Sequence, residues 1–100
     1  MTPLSVVIHA PEPEALMRAR SNARNLQKAA PDARCEIVVN AGAVAAALDQ
    51  PDPETDAQLR ICGNTLAHTG RTAPADLTVV RAAVLHLAER QRDGWQYIRA

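Results

Sequence analysis

Cys35-Glu36-Ile37-Val38-Val39-Asn40-Ala41-Gly42 is the stretch on which the reading of the chain turns. Its Ile-Val-Val centre is β-branched and unbroken, without the apolar and polar alternation of a strand that keeps one wet face. It reads as a strand covered on both sides, left through a turn at Asn40-Ala41-Gly42. Upstream, Leu4-Ser5-Val6-Val7-Ile8-His9 has the same continuous character and reads as a first strand. Between the two, Pro11-Glu12-Pro13-Glu14 ends the strand and places acids where a helix N-terminus favours negative charge. Ala15, Ala19, Ala23, Leu26 and Ala30 then recur at helical spacing until Pro31 stops the helix.

Downstream the alternation continues. Ala43 to Leu48 reads as a short Ala-rich helix, and Asp49 to Asp56, with two prolines and four acids, as a solvated, mobile surface loop. Leu59-Arg60-Ile61-Cys62 is a third strand, followed by Gly63-Asn64 and a brief helix from Thr65 to about His68 that Gly70 closes. Leu77 to Val80 is a fourth strand. Ala82 to Arg92 is an amphipathic helix with His86, Glu89, Arg90 and Asp93 on a solvated stripe and Gly94 as its left-handed cap. Trp95 to Ile98 makes a fifth strand. Strands alternating with helices, and buried on both faces, predict a three-layer α/β/α sandwich around a mainly parallel five-stranded sheet, as one domain over residues 1–100.

Composition narrows the function. A chain of 100 residues has room for one core, and 47% hydrophobic with 22% charged residues excludes disorder. Eleven Lys and Arg balance eleven Asp and Glu, and the two aromatics are Trp95 and Tyr97, so neither the basic excess nor the stacking platforms of a nucleic-acid binder are present. No apolar run approaches the roughly 18 to 20 residues of a membrane span. The N-terminus lacks the pattern of a secretory leader, so a cytoplasmic protein with free thiols is expected. The G-x-G-x-x-G, phosphate-loop and G-x-S-x-G patterns are missing. Three histidines and two cysteines stand without C-x-x-C or H-x-x-x-H spacing, so no metal and no cofactor is expected.

In an open parallel sheet, ligands collect beyond the carboxyl ends of the strands. There the first strand delivers His9, the second Asn40 and Gly42, and the third Cys62, Gly63 and Asn64. Cys62 is the good nucleophile among them. Just ahead of a helix, its sulfur faces free N–H groups that favour the thiolate, on an edge expected to be open to solvent. Gly63 would let the backbone approach a ligand. His9 leaves its strand toward the site, whereas His68 and His86 read as surface residues. Against the reactive reading of Cys62 stands the ordinary one, a small buried hydrophobe. Cys35, at the opposite edge, reads as structural.

Ile37-Val38-Val39-Asn40-Ala41-Gly42, Leu59-Arg60-Ile61-Cys62-Gly63-Asn64-Thr65-Leu66 and Gly94-Trp95-Gln96-Tyr97-Ile98 together resemble the DsrE/DsrF-like family of small bacterial and archaeal proteins, over nearly the whole chain. The resemblance implies a five-stranded parallel α/β fold, a homo-oligomer (trimer or hexamer), and a sulfur-relay role in which a cysteine after the third strand carries sulfur as a persulfide between donor and acceptor proteins. Cys62 occupies that position. The alternative is a non-catalytic oligomeric module that binds a small anionic ligand or a protein partner at the strand ends, with Cys62 merely lining the cleft.

Overall fold

The structure, a computed structural model, describes residues 2–100. Five strands run parallel: β1 (Ser5–Ala10), β2 (Arg34–Val39), β3 (Leu59–Cys62), β4 (Thr78–Val80) and β5 (Gln96–Arg99), in the order β4-β3-β2-β1-β5. The expected α/β/α sandwich with a parallel five-stranded sheet is what forms. Four helices connect the strands: α1 (Pro13–Ala29), α2 (Gly42–Asp49), α3 (Gly63–Thr69) and α4 (Ala83–Arg92).

The two faces of the sheet are unlike. Val6, Ile8, Ile37, Val39, Leu59 and Ile61 pack against Ala15, Leu16, Ala19 and Ala23 of α1, Ala43, Val44 and Ala47 of α2, and Leu66 of α3. Small residues on α1 and α2 let these helices lie close to the strands. The opposite face is covered by α4, and its apolar part is small: Val7, Val38, Cys62, Ala83, Leu87 and Trp95. Ala83 and Leu87 alone give α4 a thin apolar footprint.

An ionic mooring supplements that footprint. Glu36 is 4% exposed on the α4 face, and its carboxylate accepts from Arg90 Nε (3.0 Å) and Nη2 (2.7 Å) and from His86 Nε2 (2.7 Å), with Arg60 Nε at 3.4 Å. The guanidinium groups of Arg90 and Arg34 also lie over the Trp95 ring, 4.6 and 5.0 Å from its centre. His86 and Arg90 are therefore not on a solvated stripe. A buried carboxylate needs paired donors, and these two, one turn apart, lie on the face of α4 that meets it.

The acidic loop is also not free. Arg20 is buried on the packed side of α1, and its charge is met by Asp56 at 3.3 Å, while Arg24 holds Asp52 at 2.8 Å. The loop closes in a short 3-10 turn at Asp56–Gln58 just before β3. Helix α3 begins at Gly63, directly after Cys62, so that Cys62 itself is the extended residue that caps it. None of the helices among the described residues is long and apolar enough to cross a membrane.

Candidate functional site

The topology singles out one place on the sheet. The connections that leave the carboxyl ends of β1, β2 and β3 pass over one face through α1, α2 and α3, whereas α4 leaves β4 over the other, so the connections part company between β3 and β4, where Cys62 ends β3. In open parallel sheets the crevice at such a switch point, outside the carboxyl ends of the strands, is where ligands bind.

Four chemistry-bearing side chains line up on the α4 face along this edge. Cys62 ends β3, Asn40 follows β2, His9 is near the end of β1, and Tyr97 lies in β5. Continuing the pairing of Val39 with Ile61 by one residue sets Asn40 beside Cys62, about one strand spacing of 4.8 Å away. His9 joins the next two: its Nε2 lies 3.0 Å from Asn40 Oδ1 and its Nδ1 2.7 Å from Tyr97 Oη. Tyr97 is absent from the sequence reading. Its one available signal was that the sole tyrosine falls in a strand that pairs with β1, and pairing order is not written in local sequence.

Cys62 sits where two helices begin. Its Sγ accepts the Ala83 N–H of α4 at 3.3 Å, and the N–H groups of Asn64 and Thr65 at the start of α3 also point to it. Burial pushes this thiol up, but the Thr65 hydroxyl and the three N–H groups outweigh it and hold the pKa below its ordinary 9.0. The Thr65 oxygen accepts the Ala41 N–H at 3.2 Å, which leaves its proton for the sulfur. Ala41 is held at φ 48°, a conformation that non-glycine residues rarely adopt, costing about 1–3 kcal/mol.

The expectation of an open thiol is corrected: Cys62 is 5% exposed, because α4 lies over it. The cleft beside it, about 420 Å³ between α2 and α3, is lined by Ala41, Gly42, Ala45, Asn64, Thr65 and His68, without Cys62. Thr65 is the link between cleft and sulfur. Gly42 and Asn64 thus belong to the cleft, and His9 and Asn40 to the neighbouring ends of β1 and β2. Gly63 serves the fold: a Cβ there would stand 2.9 Å from the Val80 carbonyl oxygen and 3.1 Å from that of Arg81. A second groove, about 410 Å³ along α1 by Arg18, Arg20 and Arg24, lies away from the strand ends and holds neither thiol nor histidine.

Cys35 faces the α1 side, half-buried, and burial together with the neighbouring Glu36 carboxylate pushes its thiol up to about 11. At neutral pH its thiolate is scarce. A small alkylating reagent in limiting amount at about pH 7 is therefore expected to modify Cys62 before Cys35, in spite of the burial of Cys62. Peptide mapping after alkylation reads the order, and prior labelling of Cys35 would contradict the electrostatic account.

Fold and site define a parallel α/β protein with a stabilised thiol and a hydrogen-bonded His-Tyr pair at its strand ends. No family model matches the chain, and no curated protein matches it. It is similar to the solved structure of a protein of unknown function, MTH1491 from Methanobacterium thermoautotrophicum, with a TM-score of 0.83 and 27% identity over 97% of this chain and 99% of that one. Nearly the whole length of both chains shares the architecture.

Proposed function

We propose that the protein is a sulfur carrier of the DsrE/DsrF-like type, acting between a sulfur-donating and a sulfur-accepting protein as a homo-oligomer, a trimer or hexamer. The observation that carries this reading is the set of donors around Cys62 Sγ, which favours the thiolate and holds the pKa below its ordinary value in an otherwise apolar setting. The Cys62 thiolate attacks the outer sulfur of a donor persulfide. A new S–S bond forms to Cys62, the donor's S–S bond breaks, and the donor leaves as a thiolate; the acceptor's thiolate then takes the outer sulfur by the same exchange. Val84 and Leu85, 78% and 43% exposed on α4, are apolar surface that neighbouring subunits would cover.

A second reading is favoured by the burial of Cys62: a non-catalytic oligomeric module that takes a small anionic ligand or a protein partner in the cleft by Gly42 and Asn64. Intact mass after incubation with polysulfide separates the two. The carrier gains sulfur that a reductant removes, and Cys62→Ser gains none while remaining folded. A protein that takes up no sulfur from several donors is the binding module.

A further inference from the structure

The hydrogen bonds that join Asn40, His9 and Tyr97 have a direction. Asn40 Oδ1 only accepts, so the ring nitrogen that meets it, His9 Nε2, carries the proton. In the neutral imidazole the lone pair is then on Nδ1, and the group 2.7 Å from it, the Tyr97 hydroxyl, must donate. Tyr97 lies on the edge strand β5 and is 41% exposed, and an oxygen that donates its proton to Nδ1 keeps lone pairs for a second partner. A phenol is a weak base by itself; a phenol whose proton already leans on an imidazole is a stronger one.

We propose that Asn40, His9 and Tyr97 form an acid–base relay whose working atom is Tyr97 Oη, placed to deprotonate a protic ligand that reaches the exposed edge strand β5. The ligand's X–H bond breaks and leaves its electron pair on X. The proton forms a new O–H bond at Tyr97 while the old O–H bond breaks and its proton goes to His9 Nδ1. His9 becomes an imidazolium, steadied by Asn40 at Nε2, and returns the proton to solvent. The charged group facing His9 from β5 is its register partner Arg99, whose Nη2 is held by Glu12 from the start of α1 at 2.6 Å; from the β2 side it meets the neutral Asn40.

Tyr97 is the sole tyrosine, so its chemistry is read without ambiguity. N-Acetylimidazole acylates tyrosine oxygen, and hydroxylamine reverses that product. Run on the Cys62→Ser protein, the assay is indifferent to whether Cys62 carries sulfur. A relay gives an acylation rate that does not follow the phenolate fraction, because His9 takes the phenol's proton during the reaction. His9→Gln and Asn40→Ala should slow it by about tenfold or more at neutral pH. A phenol without a base reacts through its phenolate, whose fraction climbs about tenfold per pH unit up to about pH 10. That climb in the unsubstituted relay, or a His9→Gln protein acylated at the parent rate, would overturn the proposal. Nitrogen-15 spectra of His9 give an answer that needs no variant: a proton on Nε2 in the neutral ring supports the relay, and a proton on Nδ1 refutes it.

Discussion

Replacing Glu36 by Ala should destabilise the protein by about 3–5 kcal/mol, the usual cost of removing one partner from a buried charge cluster, out of a total of about 5–15 kcal/mol for a domain of this size. The loss is large because of what remains. Arg90, Arg60 and His86 stay packed around an empty position, and α4 has little apolar surface to hold it in their absence. Denaturant unfolding measures the change; a variant within about 0.5 kcal/mol of the parent would mean that α4 is held by Leu87 and Trp95 alone. pH gives a milder form of the same experiment. Burial pushes the Glu36 carboxyl up, but Arg90, His86 and Arg60 outweigh it and hold the pKa below its ordinary 4.5. The folded state therefore binds this proton less readily than the unfolded chain. The stability Glu36 contributes is complete above 4.5 and drains away as the pH falls from there through its folded value. The parent should lose stability over that acid range more steeply than Glu36→Gln.

Gly63→Ala should cost about 1–3 kcal/mol and also make Cys62 a poorer thiolate. Helix propensity alone argues the other way, since Ala exceeds Gly by about 1 kcal/mol inside a helix, and by less at its first residue. The clash decides the sign. The atoms in the way, the carbonyl oxygens of Val80 and Arg81 at 2.9 and 3.1 Å, are backbone at the end of β4 and cannot swing aside as a flexible side chain does. Either α3 or the β4–α4 junction must move. Both carry donors to Cys62 Sγ, the N–H groups of Asn64 and Thr65 on one side and that of Ala83 on the other. Denaturation paired with the pH dependence of Cys62 alkylation reads both effects. An unchanged thiol in a destabilised protein would show that the donors follow the sulfur as the junction shifts.

The elements of this fold are written in local pattern, and the sheet follows from them. Unbroken Val-Ile runs in β1 and β2, the Ala spacing of α1 and the glycine at φ 94° after α4 announce themselves. What local pattern leaves out is who meets whom across the sheet. Glu36 stands inside an apolar strand, which is itself a signal of a buried charge, but its partners are 50 and 54 residues away on α4. His86 and Arg90 accordingly read as solvated. The placement of Cys62, His9 and Asn40 at the strand ends was legible, because a strand-to-helix junction marks itself by residue type. Tyr97 was not, because its proximity to His9 follows from β5 crossing back to lie beside β1. Nor was the depth of Cys62, which depends on where α4 comes to rest.

That crossing has a consequence for how the protein is made. β1 leaves the ribosome well before β5, its neighbour on the open side, because all the other strands are synthesised between them. Until then β1 has an unpaired edge, and Val7, buried beside Tyr97 in the finished sheet, has its flank uncovered. β2, β3 and α3 can assemble on β1 during this interval, so the Cys62 junction is partly in place while the His9 ring still lacks its tyrosine. The proposed relay is completed only when the nascent chain has closed its sheet, and a stalled or truncated product would have the thiol without the base.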